Sequence, residues 1–164
     1  MAKDDEIWAM ILGGIIGATL AAPKPEEKQE LQEYRTLKQQ IALRQQMVGN
    51  MSQQLLSKIL MKPQVYDLFV ESYRTYLFGF FRSSVILCTA LIEGLLKEKF
   101  GDKKFFELID LAKKEGLISE SEYYFLHGIR AERNDAVHNY ARVIKEEHSV
   151  IVLRMTMRMI DKLL

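Results

Sequence analysis

Arg133, His138 and Tyr140 fall within the eight residues "RNDAVHNY", 133 to 140. An imidazole titrates at about 6.5, so it can give or take a proton at neutral pH. A guanidinium keeps its charge, and its planar fork matches two phosphate oxygens. One titrating group beside one fixed cation suits acid–base chemistry at a phosphate. Each residue also has a structural reading. His138 can cap or pack at a helix start. Arg133 can pair with Asp135 or Glu93, and Tyr140 can fill a core. Asn134 suits an N-cap or a turn better than catalysis.

The elements that hold this stretch follow from composition and pattern. The chain has 164 residues, enough for one domain and an appendage, with 48% hydrophobic residues. Its 23 basic and 22 acidic side chains leave a net charge of +1, so no global field draws in nucleic acid and any basic surface is local. Cys88 is the single cysteine and sits in the apolar run "SVILCTALI", where it reads as a small hydrophobe. A lone thiol builds neither a disulfide framework nor a Cys-rich zinc site, which suits a reducing compartment such as the cytoplasm. His127 and His148 belong to no motif and read as surface or packing residues. The histidines lack close ligand spacing, so no metal site is expected, and no phosphate-binding Gly loop or other cofactor motif is seen. Strand signals are almost absent, so an all-α chain is expected.

Three segments are expected: residues 1–24, 25–62 and 63–164. Residues 7 to 22, "IWAMILGGIIGATLAA", are apolar and uncharged, with Gly13, Gly17 and Ala21 spaced by four like a glycine zipper. As a helix they span about 24 Å, short of the ~20 residues of an ordinary membrane crossing. They read as a buried packing or self-association helix, as a short membrane anchor, or as a signal sequence. The acidic start "MAKDDE" argues against the last. Pro23 and Pro25 break this segment, and Pro25 opens a new helix. From Glu26 to Met61 the pattern is amphipathic. Tyr34, Leu37, Ile41, Val48, Met51 and Leu55 form a three-four seam that Arg44 interrupts. This segment either forms a coiled coil with a second copy or packs on the chain's own C-terminal domain. Gly49-Asn50 is a place for a bend.

Pro63 marks the next boundary. Val65, Leu68, Phe69, Ser72, Tyr73 and Tyr76 share one helical face. "RSSVILCTALIEGLLKEKFG" continues as an apolar helix closed by Gly101, and "DKKFFELIDLAKKEG" as an amphipathic one closed by Gly116. "SESE" from Ser119 to Glu122 is a capping box that starts a helix reaching about Glu132. The last helix begins near Ala136 or Lys145 and turns Val150, Leu153, Met157 and Ile160 inward. The Arg133–His138 stretch is then expected to be a turn between helices.

At this point residues 63–164 resemble a HEPN domain, a helical bundle whose mark is Arg, a polar residue and a later His. The motif here is Arg133-Asn134-Asp135-Ala136-Val137-His138. Tyr140 extends it to the Arg-x-x-x-x-His-x-Tyr form of members paired with minimal nucleotidyltransferases. In those members the equivalent tyrosine is adenylylated. "YLFGFFRSSVILCTALIEGLLKEKFG" resembles the family's early helix, with Glu93 and Lys97 in its Glu-x-x-x-Lys pattern. The bare residues leave Glu93 either orienting Arg133 or pairing with Lys97. The resemblance implies a metal-independent endoribonuclease, a toxin or phage-defence effector acting on tRNA or mRNA. It implies Arg133 and His138 as catalytic residues, with Glu93, Lys97, Asn134, Asp135 and Tyr140 in support. The reaction needs a base for the ribose 2′-OH and an acid for the leaving 5′-oxygen, but one chain carries one motif histidine. In family members two chains pair, so a homodimer or higher assembly is implied, with an antitoxin as a further partner. A non-catalytic HEPN-like oligomerisation module, tethered to a membrane through residues 7–22 or free of it, is the alternative.

Overall fold

The computed structural model describes residues 25–164. Among them lie seven helices and no strand: α1 (Pro25–Val48), α2 (Gln53–Met61), α3 (Pro63–Leu77), α4 (Phe81–Phe100), α5 (Phe105–Lys114), α6 (Glu120–His138) and α7 (Glu146–Leu163). The all-α expectation holds. The apolar segment 7–22 lies outside the described residues. No described helix is long and apolar enough to cross a membrane. Two units divide the chain, Met1–Arg35 and Thr36–Leu164. Of the first, residues 25–35 are described; they are helical, and Gln29 donates to Glu33 one turn on, at 3.0 Å.

In the second unit α4 is the central element. It buries Val85, Cys88, Leu91, Ile92, Leu95 and Leu96 and packs on α3, α5, α6 and α7. Burial around so much of its circumference is what its nearly unbroken apolar sequence demands. Tyr76 from α3, Leu108 from α5, Leu126 from α6 and Met159 from α7 are among the fully buried side chains packed around it. Where α3, α4 and α7 meet, small polar side chains gather around the Cys88 thiol: Ser72, Ser84 and Thr156. Burial pushes this thiol up, and the three neighbouring hydroxyls oppose the shift. Ser72, Thr89 and Thr156 donate to carbonyls one turn back, so their hydroxyls are satisfied inside the core.

Three sequence expectations change in detail. Residues 26–61 form two helices, parted where Gly49 takes φ +85° and Ser52 caps α2 through the Leu55 amide. Arg44, the seam interruption, is a contact within the chain. Its Nη1 donates to the Leu77 carbonyl at 2.8 Å, its guanidinium lies 5.2 Å from the Phe81 ring centre, and Glu146 is 3.5 Å from Nε. It thereby holds the α3–α4 turn, where Gly79 takes φ +85°. α2 packs on α3 and α7, in line with the alternative that this segment packs on the chain's own C-terminal helices. On α7, Val150, Leu153 and Ile160 are buried as expected, whereas Met157 is only half-buried and Met155 and Met159 point inward.

Candidate functional site

α6 begins as its sequence requires. The Ser119 hydroxyl accepts from the Glu122 amide at 3.3 Å, and the Glu122 carboxylate accepts from the Ser119 amide at 2.6 Å. The same carboxylate is 4% exposed and takes Lys162 at 2.7 Å and Arg158 from α7. Burial is the largest influence on it and pushes it up. Hydrogen bonds from Lys162, from the Ser119 amide and hydroxyl and from Arg158 outweigh burial and bring it down to about 2.

The helix does not stop at Glu132. It runs to His138, and its C-cap is Asn139, whose amide donates to the Asp135 carbonyl. Arg133, Asn134, Asp135 and His138 therefore stand on the last turns of a helix, not in a turn, and α7 starts only after Lys145. The sequence hides this because no Gly or Pro punctuates residues 132–145. The brake is tertiary and comes from Arg82, at the start of α4. Its Nη1 donates to the carbonyls of Ala136 (2.6 Å) and Asn139 (3.2 Å). Its Nη2 donates to those of Tyr140 (3.3 Å) and Arg142. A cation thus closes the carbonyl end of α6, satisfying orphan acceptors and favouring the negative end of the helix dipole. Sequence reasoning missed Arg82. Its one signal is a charge opening an apolar helix.

The motif side chains differ in exposure. His138 is exposed and makes no hydrogen bond or ion pair among the described residues. Neither the capping nor the packing reading of it is seen. Tyr140 is 95% exposed and fills no core. Arg133 is half-buried and donates to the Asn134 side-chain oxygen at 3.2 Å, and no ion pair joins it to Asp135 or Glu93. Asp135 is exposed. Asn134 lies inside the helix and caps nothing.

Glu93 and Lys97 stand elsewhere. They pair with each other at 3.2 Å, and Lys97 also takes Asp102 at 3.0 Å. Hydrogen bonds to Asp102 and then Glu93 hold the Lys97 ammonium above the usual lysine range. Arg82 meets the end of α6, and eleven residues of α4 at 1.5 Å each carry Glu93 about 16 Å away along the axis. Glu93 therefore pairs with Lys97 and does not orient Arg133. Of the other histidines, His127 lies edge-on to Tyr123 and 3.5 Å from Asp110. His148 Nδ1 is 2.8 Å from Glu132, whose other oxygen faces Arg142 at 3.5 Å. Among the described residues, no three His, Cys, Asp or Glu side chains cluster to hold a metal ion.

Residues 70–164 match the family described as a domain of unknown function, DUF4145. The chain belongs to the DUF4145 family. The match takes in most of α3 and all of α4 to α7, so Arg82, Arg133 and His138 all lie inside the DUF4145 region. No curated protein and no solved structure matches the chain.

Proposed function

We propose that this DUF4145 protein is a metal-independent endoribonuclease of the HEPN type, a toxin or phage-defence effector whose active site is completed by a second copy of the chain. The carrying observation is the state of His138: an exposed imidazole without a partner among the described residues, on the same helix end as Arg133, on a backbone clamped by Arg82. Such a group is positioned but unspent.

In the proposed reaction, neutral His138 takes the proton of a ribose 2′-OH as the oxygen attacks phosphorus. The P–O5′ bond breaks, and the 5′-oxygen takes a proton from the protonated His138 of the second copy. Arg133 binds the non-bridging oxygens and stabilises the charge built there. The products are a 2′,3′-cyclic phosphate and a 5′-hydroxyl. Two copies are needed for a geometric reason as well. Five helical positions turn Arg133 and His138 about 140° apart around α6, so one chain does not stack them side by side. The same separation favours the non-catalytic module if the chain is monomeric.

The test is digestion of tRNA and mRNA by wild type, Arg133→Ala and His138→Ala in EDTA, with circular dichroism to verify folding. Cleavage by wild type to cyclic-phosphate ends, lowered about 10²- to 10⁴-fold in His138→Ala, is expected. Equal cleavage by folded His138→Ala removes the catalytic reading. A wild type inert towards every RNA class leaves the binding module.

A further inference from the structure

Arg130 precedes Arg133 by three residues on α6, so their Cβ atoms are neighbours, about 5–6 Å apart. Both residues are half-buried. Arg130 makes no hydrogen bond or ion pair among the described residues, and its Nε is buried without a partner. Arg133 reaches only the Asn134 side chain. Like charges side by side repel, and a half-buried cation without a counter-charge costs desolvation. No carboxylate stands three or four residues from either arginine on α6. The helices packed most extensively on α6 are α4 and α5. Their carboxylates are all engaged: Glu93 by Lys97, Glu98 by Lys62, Glu107 by the Lys104 amide, and Asp110 by Tyr123 and His127. On α6 itself, Glu120 holds Lys113, Glu122 holds Arg158 and Lys162, and Glu132 holds Arg142 and His148. That leaves Asp135, exposed and about 140° and 160° around the helix from Arg130 and Arg133. Glu147 is exposed on α7, on the side where His148 meets Glu132. Glu132 lies about 160° from Arg130 and 100° from Arg133.

A counter-charge for these two arginines has to come from outside the fold. Each guanidinium is a planar fork that takes two oxygens of one anion. A single carboxylate fills one fork. Two forks on neighbouring positions suit two linked phosphate groups, either neighbouring phosphates of one strand or a diphosphate. We infer that Arg130 and Arg133 form a two-phosphate site on α6, with Arg130 binding the phosphate next to the one that Arg133 holds. The source of the phosphates rests on the ribonuclease reading, in which Arg130 takes the phosphate beside the scissile one in an RNA strand. Arg130 is then a binding residue that the Arg133–His138 spacing does not mark. A substrate would need a phosphate next to the one that reacts.

The experiment uses the full-length chain carrying His138→Ala to suppress cleavage, with Arg130→Met and Arg130→Lys made in it. Arg130→Met keeps an apolar stem and removes the charge. One probe is a short labelled single-stranded RNA of mixed sequence, its binding followed by fluorescence anisotropy across a salt series. The other is inorganic pyrophosphate, followed by thermal melts against sodium chloride of equal ionic strength. Arg130→Met is expected to bind RNA about tenfold more weakly. Its slope of log affinity against log salt should be smaller by about 0.7, the loss of one phosphate contact on a single strand. Arg130→Lys should keep the slope. Pyrophosphate should raise the melting midpoint of the parent and not of Arg130→Met, because a ligand stabilises the state that binds it. An unchanged slope in Arg130→Met overturns the site, and the His138→Ala cleavage assay still decides the ribonuclease reading by itself. A lower midpoint for Arg130→Met without ligand overturns it too, since the guanidinium then serves the fold. Pyrophosphate protection that needs Arg130, without RNA binding, upholds the site for a free diphosphate and counts against the ribonuclease reading. No response to either probe overturns the site.

Discussion

At the scale of single residues, His138 and Tyr140 are exposed, Arg133 is half-buried, and the Glu122 carboxylate in the first turn of their helix is buried. Arg133→Lys keeps a cation but loses the planar fork that meets two phosphate oxygens, so it should recover only part of the activity lost in Arg133→Ala. A kcat and KM comparison of the two variants reads this directly. Glu122 has a distinct signature. Its carboxyl is depressed to about 2 in the fold, below its ordinary value of 4.5. A group depressed by folding adds stability above its unfolded pKa and loses it as pH falls through the folded one. Stability should therefore be level above about pH 5 and decline from there towards pH 2. Glu122→Gln should be less stable at pH 7 and show a flatter acid limb in denaturant titrations across that range.

Between residues and fold, two arginines hold chain reversals that the local sequence leaves open. Arg82 closes the end of α6 and gathers the following loop by four carbonyls. Arg82→Ala should cost about 1–3 kcal/mol, since hydrogen bonds from a charged donor are lost at one half-buried carbonyl, that of Ala136, and three exposed ones. Its more telling effect should be faster amide exchange from Asn139 to Ile144 and lower cleavage, because the backbone under His138 is no longer fixed. Arg44 does the corresponding work at the α3–α4 turn. Its guanidinium lies 3.3 Å from where a Cβ on Gly79 would stand, and Gly79 is at φ +85°. Gly79→Ala thus meets both strain and crowding and should lower stability by about 1–2 kcal/mol. Gly94→Ala, a helical site with open space, should be neutral or stabilising. Thermal melts of the two variants side by side separate these effects.

For the molecule as a whole, the proposed chemistry depends on assembly, because one chain brings one motif histidine to the end of α6. Sedimentation of the full-length protein at micromolar concentration should show a dimer or a multiple of it. A stable monomer would remove the second histidine from the proposed site. Core truncation gives the matching measure of the fold itself. Leu96→Ala on α4 should cost about 2–5 kcal/mol, the range for opening a cavity in a packed interior. That loss should lower cleavage only in proportion to the fraction unfolded, whereas His138→Ala should lower it in a folded protein.

The helical class, the capping box at Ser119, the apolar α4 and the stops at Gly101 and Gly116 were legible in the residues, because period, caps and breakers are local properties of the chain. The Arg133–His138 pattern was legible as chemistry for the same reason: residue type and spacing are written in order. What tertiary structure decided is where those groups stand. A helix without a Gly or Pro signal runs past Glu132 and stops after His138, where the distant Arg82 takes its carbonyls. Arg44 looked like a flaw in a seam until the turn it holds was in place. Glu93 and Lys97 belonged to the same family resemblance as Arg133 but lie about 16 and 22 Å along α4 from the helix end, since packing direction between helices is not carried by the pattern of either one. That no carboxylate answers Arg130 depended on which helices lie against α6, a relation that no stretch of sequence contains.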